Sequence, residues 1–496
     1  MSDEVPLNLI GSLQPSKYVD ISNQRTVNWY PVQFGPSAQA KNQQVLYPTP
    51  GLTTFCSPPG RYSRGGFVAR TPTYNRCFVV VDTTLYEVFA NQSYSSLGTL
   101  PNLAYGSTPC WFKCNGNNEV FIGHNSASNV FNMDTNTVTQ ITNANFPGSI
   151  TSATYCDGYL FVVSGGFVYF SNANSCLNWT GSQVFHTTFR AAADVAVAAF
   201  RDKVFCLTYE SIEPYYEDGS STVWARFPGS ILSTGLLGPR LLSVFDGGIV
   251  FVGMSEQGQA HVYLLSNEYN QLQPLSEHDP NIQWLLNQKQ NELVDAWTEV
   301  QKTKDGGALL RLYVPSMKTC YCYNFLSGQW YEQRSYNPNP AADGSYELDM
   351  FRGIHCIPFA GFNLFQDLYS GTIFYEDYSN QTENGTFIKR KRTSATFNQG
   401  YKNIAISTLE IDATKGVGLA SGQGSNPILM VSTSDDGGHT FSSPRNLPLG
   451  NFGNYLYRAR EDNLGTSRNW TIDLELTDPL DLAIQNALAN ISVSNY

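Results

Sequence analysis

The stretch Asp157-Gly-Tyr-Leu-Phe-Val-Val163 decides the fold of this chain, together with Gly166-Phe-Val-Tyr-Phe170, which follows it closely. Each of the two segments opens at a glycine-containing turn, where positive φ angles cost glycine nothing. The residues after each turn are aromatic or β-branched, which is typical of strands. The stretch therefore predicts a repeating order of turn, strand, turn and strand.

The same unit recurs through most of the sequence. It starts at residues 76, 118, 157, 201, 246, 307 and 361, and successive starts lie 42, 39, 44, 45, 61 and 54 residues apart. Propeller blades of four strands recur at about 40 to 50 residues. The spacing predicts an all-β chain with a propeller-like body of six or seven blades and two longer insertions. A run of unrelated antiparallel hairpins in sandwiches is the alternative, because the units share a pattern and not an identity.

Composition supports β structure and excludes several classes of protein. The 496 residues are 13 % aromatic and only 14 % charged, with 41 Gly and 25 Pro. A helical bundle or coiled coil needs far more Glu, Lys and Leu, and a disordered chain avoids aromatic residues. The net charge of -11 argues against a tight clamp on DNA, which depends on neutralising phosphates. It is compatible with a path along which DNA slides without sticking.

Sequence features favour folding in a cytosol. The start Met1-Ser-Asp-Glu4 is acidic where a signal peptide would be basic, and the apolar run Ala191 to Phe200 is too short to span a bilayer. Ten cysteines scattered over 496 residues do not form a disulfide scaffold, so reduced and mostly packed thiols are expected. Cys320 and Cys322 are expected on opposite faces of a strand.

Changes in texture divide the chain into three parts. Residues 1–55 are polar and are predicted to be an extended segment that packs on another module. Residues 56–395 contain the repeats and form the predicted propeller-like domain. Strand-like alternation with Gly-rich turns resumes after the boundary, and residues 396–496 are predicted to form a β-sandwich-like module.

Two segments stand apart from the repeats. Asp279-Pro280 is a good N-cap and first-turn pair, and the apolar spacing after it predicts a helix that ends near residue 290. The run Lys389-Arg-Lys-Arg392 is densely basic. It could face DNA or an acidic partner, although a solvated strand or linker is the favoured interpretation.

The sharpest short motif lies in the C-terminal part and fits the Asp-box pattern S-x-D-x-G-x-T-[WF]. In such a hairpin turn the carboxylate accepts turn amides, glycine permits positive φ and the aromatic ring packs beneath. Asp boxes are frequent in sialidase-type propellers, so a glycosidase has to be considered. The box itself is a structural clasp, and the sequence has one copy, outside the repeats. Its residues are Ser434, Asp436, Gly438, Thr440 and Phe441.

Catalytic motifs are missing from the sequence. None of the six histidines forms an H-x-x-x-H or H-x-H pair, so no catalytic metal is predicted. There is no P-loop, no G-x-G-x-x-G after a strand and no G-x-S-x-G elbow. With 41 acidic residues, any carboxylate pair could be proposed for a glycosidase, so such a pair has no weight. The sequence therefore predicts no catalytic, cofactor-binding or metal-binding residue, and no enzyme.

A further set of motifs runs along nearly the whole chain, at segments 23–31, 46–52, 63–65, 157–160, 210–216, 226–229, 246–251, 323–330, 416–419, 422–424 and 464–468, with the Asp box. Together these motifs resemble a known family, the packaged-DNA stabilization proteins or tail accessory factors of short-tailed bacteriophages. One departure is Arg460-Glu461-Asp462, where the family is expected to have a basic-aromatic stretch.

The resemblance implies a structural virion protein without catalytic residues. Such a protein forms a tail hub, usually a ring of six copies, below the portal and its adaptor. It retains packaged double-stranded DNA, lets it pass without sequence-specific binding, and offers attachment surfaces to tailspikes, fibres or a needle. The implied location is the tail of a virion assembled in the host cytoplasm, with no membrane partner. A host receptor-binding tail module and a propeller glycosidase are the alternatives.

Overall fold

Nearly all regular structure in this protein is β-strand. The computed structural model describes residues 3–34, 42–219, 224–266, 271–276, 280–304, 306–337, 347–400 and 402–494. The first six strands are β1 (Asp3–Leu7), β2 (Gln14–Pro15), β3 (Asn23–Val27), β4 (Trp29–Gln33), β5 (Gln44–Pro48) and β6 (Gly51–Cys56).

The next sixteen strands form four consecutive antiparallel sheets of four strands. Blade 1 contains β7 (Ser63–Arg70), β8 (Asn75–Val81), β9 (Thr84–Val88) and β10 (Tyr94–Thr99). Blade 2 contains β11 (Trp111–Cys114), β12 (Glu119–Gly123), β13 (Asn129–Asn132) and β14 (Thr137–Gln140). Blade 3 contains β15 (Ser152–Cys156), β16 (Tyr159–Ser164), β17 (Phe167–Phe170) and β18 (Val184–Phe185). Blade 4 contains β19 (Asp194–Phe200), β20 (Lys203–Thr208), β21 (Ile212–Glu217) and β22 (Trp224–Arg226).

Blades 5 and 6 follow, with the helical insertion between them. Blade 5 contains β23 (Gly235–Leu236), β24 (Leu242–Phe245), β25 (Gly248–Met254), β26 (Ala260–Leu265) and β27 (Leu272–Pro274). The insertion contains α1 (Pro280–Gln288) and a 3-10 turn (Gln290–Leu293). Blade 6 contains β28 (Trp297–Lys302), β29 (Ala308–Val314), a 3-10 turn (Pro315–Met317), β30 (Thr319–Asn324) and β31 (Gln329–Tyr336), and β32 (Leu348–Met350) pairs with β31.

Blade 7 closes the ring with a strand from the start of the chain. Its strands are β33 (Gly353–Phe359), β34 (Phe362–Asp367), β35 (Ile373–Asp377) and the N-terminal β6, which pairs antiparallel with β35. The innermost strands contact one another in sequence order, and β33 lies against β7. The described residues thus form seven blades, which confirms the predicted propeller-like body. The predicted boundary after residue 55 falls inside β6.

Each blade is apolar on both faces because it stands between two neighbouring blades. In β16, Leu160 and Val162 pack toward blade 2, whereas Phe161 and Val163 pack toward blade 4. Strands covered on both faces read as continuous apolar runs. The hairpin that precedes them turns at Asp157 and Gly158, whose φ angles of 44° and 89° are both positive. The opening stretch therefore contains both the turn and the core of a blade.

Strands near the C-terminus build a second body of two sheets. Two short strands before them, β36 (Thr382–Glu383) and β37 (Thr386–Phe387), extend the sheet of blade 7 beyond β6. The strands of the second body are β38 (Arg390–Thr393), β39 (Asn403–Ala413), β40 (Ile428–Ser434), β41 (Arg445–Pro448), β42 (Ala459–Ser467), β43 (Thr471–Leu476) and β44 (Ile484–Ser494). One sheet runs β3-β38-β43-β40-β41 and continues blade 6, because β3 also pairs with β31. The other runs β4-β5-β44-β39-β42, with β1 on β44. A shared apolar core lies between them, so the predicted β-sandwich-like module is confirmed.

Two local expectations have definite outcomes. The predicted helix exists as α1 and ends at Gln288. Its residues Ile282 and Leu286 pack on the core of blades 5 and 6. The predicted cap of this helix, Asp279, lies outside the described residues. The expectation that Cys320 and Cys322 lie on opposite faces is wrong. Their sulfur atoms are 3.9 Å apart, because residues two positions apart in a strand share a face.

Candidate functional site

The Asp-box residues form a hydrogen-bonded turn after β40. The carboxylate of Asp436 accepts hydrogen bonds from the backbone amides of His439 and Thr440 at 2.9 Å, and from the Thr440 hydroxyl at 2.6 Å. The Ser434 hydroxyl donates to the same carboxylate and accepts from the amide of Gly438. These hydrogen bonds, of which the one from the Thr440 hydroxyl contributes most, hold the pKa of the Asp436 carboxyl well below its usual range.

The outer side of this turn contacts the N-terminal segment. Nε2 of His439 lies 2.8 Å from Oδ1 of Asp20, and the Asn23 side-chain amide donates to the carbonyl of Gly438 at 3.1 Å. Phe441 keeps 36 % of its surface exposed, so its ring is only partly packed. Through these contacts the turn joins segments that are distant in the sequence. The Asp436 carboxylate itself binds donors of its own loop.

The basic run Lys389-Arg-Lys-Arg392 is not a solvated segment. Arg390 and Arg392 lie in β38, in the middle of a sheet, and both are fully buried. Lys389 forms ion pairs of 2.8 Å with Glu347 and Glu475. The interpretation of this run as a solvated strand, a linker or a face for DNA is therefore wrong. The sequence signal is misleading because alternate positions of a central strand face the interior.

Arg392 binds the N-terminal segment from within. Its Nε donates to the carbonyl of Leu9 at 2.6 Å, its Nη1 to the Thr26 hydroxyl at 2.9 Å, and its Nη2 to the Gln24 side chain at 2.7 Å. Burial lowers the pKa of Arg392 to about 9. A buried guanidinium with acceptors on distant backbone fixes how that segment crosses β38.

A second arginine joins the same N-terminal segment to the propeller. Arg25 on β3 donates to Glu332 on β31 through Nε at 3.0 Å and through Nη2 at 2.7 Å. Glu332 is buried. Burial acts to raise the pKa of its carboxyl, whereas the neighbouring guanidinium acts to lower it, and the pKa lies below the ordinary value. Together, Arg25 and Arg392 tie the first 30 residues to both bodies of the protein.

An apolar tip projects from the second body between β41 and β42. We define it by Phe452, Tyr455 and Leu456, which are 69 %, 67 % and 92 % exposed. The tip rests on a second loop, because the amide of Gly453 donates to the carbonyl of Gly416 at 3.2 Å. Clustered exposed apolar side chains mark interaction surfaces. The sequence analysis missed this tip, although three large apolar residues within five positions of a Gly-rich loop were a usable signal.

Two buried carboxylates hold the loop that precedes blade 4. Glu213 accepts hydrogen bonds from the amides of Thr188 and Phe189 at 2.9 and 2.8 Å. Asp194 accepts one from the amide of Thr187 at 3.2 Å. Burial, with a further contribution from Glu213, raises the pKa of Asp194 to about 6. This acid pair is another feature that hairpin spacing did not reveal.

The described part of the chain has neither an assembled metal site nor a membrane-spanning helix. There, no three side chains of His, Cys, Asp or Glu come together in a group that could hold a metal ion. Across the same residues, no helix has the length and apolar character needed to cross a membrane.

Comparison with known proteins identifies similar families and structures. A family profile described as bacteriophage P22 Gp10, beta-propeller, matches residues 4–372, about three quarters of the chain. The C-terminal motifs, including the Asp box, lie outside the matched range. A search of curated proteins finds no match.

Two solved structures illustrate the structural likenesses. The crystal structure of the Mitotic Checkpoint Complex has 10 % identity and a TM-score of 0.39, over 70 % of this chain and 96 % of that one. A complex of S. cerevisiae Dbp5 bound to Nup159 and Gle1 has 7 % identity and a TM-score of 0.38, over 69 % of this chain and 97 % of that one. Neither likeness is strong enough to carry an argument, so the fold rests on the strand pairing above.

Proposed function

This chain belongs to the family of the bacteriophage P22 Gp10 β-propeller, and on that premise we propose that it is a structural protein of the phage virion. In this proposal it forms the tail hub below the portal and its adaptor ring. It retains the packaged DNA, provides the channel for DNA ejection, and offers attachment surfaces to tail fibres, spikes or a needle. The family assignment is the observation that carries the proposal.

The pairing of N-terminal strands with later parts of the chain supports a mechanical role. The N-terminal β6 closes blade 7, while β3 joins blade 6 to the sheet that contains β38. A strand paired on both sides in the middle of a sheet cannot leave without breaking two rows of hydrogen bonds. Such closure suits a protein that must hold its shape against the pressure of packed DNA.

The charge distribution supports passage of DNA without tight binding. The chain carries a net charge of -11, and in its densest basic run Arg390 and Arg392 are buried while the two lysines form ion pairs with carboxylates of the chain. Contacts between basic side chains and phosphates would slow ejection. The proposal therefore includes double-stranded DNA as a passing partner that is not read by sequence.

Assembly with other proteins is the remaining part of the proposal. We expect a homo-oligomer, with a hexamer as the stoichiometry to test first. It would contact the portal or adaptor protein on one side and tailspike, fibre or needle proteins elsewhere. The apolar tip supports such contacts, because exposed aromatic and aliphatic clusters are typical of interface cores. Assembly would take place in the host cytoplasm, and the finished location is the virion tail.

Immunogold electron microscopy of purified virions tests this proposal. An antibody raised against the whole chain should label the single tail vertex of DNA-filled particles. Label at the distal tips of fibres would favour a host receptor-binding module in its place. Absence of label would contradict a virion role, and cleavage of polysaccharide substrates would then be assayed to test a propeller glycosidase.

A further inference from the structure

A cavity of about 510 Å³ opens where the loops of blades 1, 5, 6 and 7 meet near the propeller axis. Most of its wall is apolar and includes Val294, Met350, Ile354 and three prolines. Cavities of this size, largely apolar with few polar groups, are typical of ligand sites. The cavity is separate from the Asp-box turn, the apolar tip and the buried arginines described above.

Arg240 lines the cavity and has hydrogen-bond donors that no described residue of the protein engages. Its Nη2 donates to the carbonyl of Pro109 at 2.7 Å, and its guanidinium lies 4.9 Å from the ring centre of Trp111. Among the described residues its other donors have no partner. Burial, opposed by the Cys110 thiol and reinforced by the charge of Arg64, lowers the pKa of Arg240 to about 10. No carboxylate of the described residues acts on this guanidinium.

A second polar group in the wall is held in an unusual conformation. His355 has a φ of 56° and lies where β33 bulges between Ile354 and Ile357. Its Nδ1 is 3.2 Å from Oε1 of Glu299, which also accepts the amide of His355 at 3.0 Å. Bulges re-aim side chains, and left-handed non-glycine residues cluster at ligand sites. The carboxylate of Glu299, which is only partly exposed, therefore holds the imidazole at the edge of the cavity.

We propose that this cavity binds a peptide segment of a partner protein through a carboxylate group that lies beside an apolar side chain. A guanidinium with free donors matches a carboxylate in a bidentate arrangement. The apolar wall accommodates the neighbouring side chain. Asp295 and Asp349 also line the cavity, so it suits a ligand with one negative charge placed at Arg240 better than a polyanion such as DNA. The inference rests on this geometry and is independent of the proposed virion role.

Titration with a matched pair of small peptides tests the inference. The probes are acetyl-Leu-Pro-Leu with a free carboxylate and the same tripeptide as its amide, and the readout is tryptophan fluorescence of the full chain at pH 7. The acid should bind at least about tenfold more tightly than the amide, the difference made by one charge-assisted contact. The variant Arg240→Gln should lose that preference while its melting temperature verifies folding.

A rim variant keeps the test decisive should Arg240→Gln fail to fold. Val294→Glu places a carboxylate on an exposed position of the rim and should weaken binding of the acid about tenfold, because like charges repel. Leu326→Glu makes the same change on an exposed turn of blade 6 outside the cavity, and should leave binding unchanged. Equal binding of acid and amide, no binding of either, or displacement of the acid by a short DNA duplex would each overturn the proposal.

Discussion

Arg25 and Glu332 are 307 positions apart in the sequence, yet they form two parallel hydrogen bonds of 3.0 and 2.7 Å. The pair joins the N-terminal β3 to β31 of blade 6, at the point where the propeller sheet passes into the C-terminal body. Bidentate pairs of arginine and carboxylate have a defined orientation as well as strength. This contact therefore reinforces the backbone pairing by which β3 joins blade 6 to β38.

Replacing Arg25 should destabilise the protein by leaving a buried carboxylate unpaired. We expect Arg25→Ala to lower the free energy of unfolding by about 2 kcal/mol, less than for a fully buried pair because Arg25 remains partly exposed. Urea denaturation measures this change. Arg445→Ala, which breaks the exposed pair with Glu461, should cost less than about 1 kcal/mol. Equal losses in the two variants would show that the Arg25 pair has no special role.

The strand that closes the propeller should depend on its buried leucine. Leu52 on β6 is fully buried between blades 6 and 7, so Leu52→Ala should cost about 3 kcal/mol through the lost contacts and the cavity left behind. Hydrogen exchange of β35, the partner of β6, should accelerate. The exposed Leu326→Ala should change stability by less than about 0.5 kcal/mol. Unchanged exchange in β35 would contradict closure by β6.

The Asp-box carboxylate should stabilise its own loop. Asp436→Ala removes the acceptor of the amides of His439 and Thr440, so those amides should exchange faster and the melting temperature should fall. The pKa of Asp436 is lower in the folded protein than in the unfolded chain. The ionised carboxylate therefore stabilises the fold above the unfolded pKa, and this stabilisation is lost as the pH falls toward the folded pKa. Asp435→Ala is the matched control, because that exposed neighbour lies outside the turn network, and it should have no effect on exchange.

Stability should depend on pH through Asp194. Its folded pKa of about 6 lies above the unfolded value of about 3.9, so the folded protein keeps a proton that the unfolded chain has lost. This contribution to stability is largest below the unfolded pKa and is lost as the pH rises to about 6. Burial and the charge of Glu213 cause the shift, while His186 and the amide of Thr187 oppose it.

Removing that charge should therefore stabilise the protein at neutral pH. We expect Asp194→Asn to raise the free energy of unfolding at pH 7 by about 2 kcal/mol and to flatten its dependence between pH 4 and 6. Denaturation curves across this range measure both effects. Asp202→Asn changes an exposed acid on the same blade and should leave the slope intact. A steeper slope in Asp194→Asn would reverse the assignment.

The apolar tip should matter for assembly and not for folding. Leu456→Glu changes a side chain that is almost completely exposed, so the melting temperature should stay within about 1 °C of the wild type. Incorporation into virions, measured by complementation of a phage that lacks the protein, should fall sharply, because a charge in an apolar interface core is costly. Leu326→Glu is the control and should be incorporated normally. Normal incorporation of Leu456→Glu would remove the tip from the proposed interfaces.

Local sequence accounts for most of the propeller. A hairpin such as the one at Asp157 and Gly158 needs only residues that are neighbours in the chain, so turn chemistry and apolar spacing predict it and its repeats. The helix at 280–288 follows from the same kind of local signal. The shared face of Cys320 and Cys322 also follows from local geometry, because side chains two positions apart in a strand point to the same side.

Long-range pairing accounts for what the sequence did not predict. Whether Arg392 meets water or the oxygen atoms of Leu9 and Thr26 depends on the N-terminal segment around β3, which lies more than 360 positions earlier in the chain. The contribution of β6 to blade 7, and of β3 to both bodies, likewise depends on segments that meet only in the folded state. By itself the sequence determined the β class, the repeated hairpins and the Asp-box turn, because those depend on contacts within a few residues. The tertiary structure decided the seventh blade's closing strand, the burial of the basic run and the cavity at Arg240, because each is formed by side chains that the sequence keeps far apart.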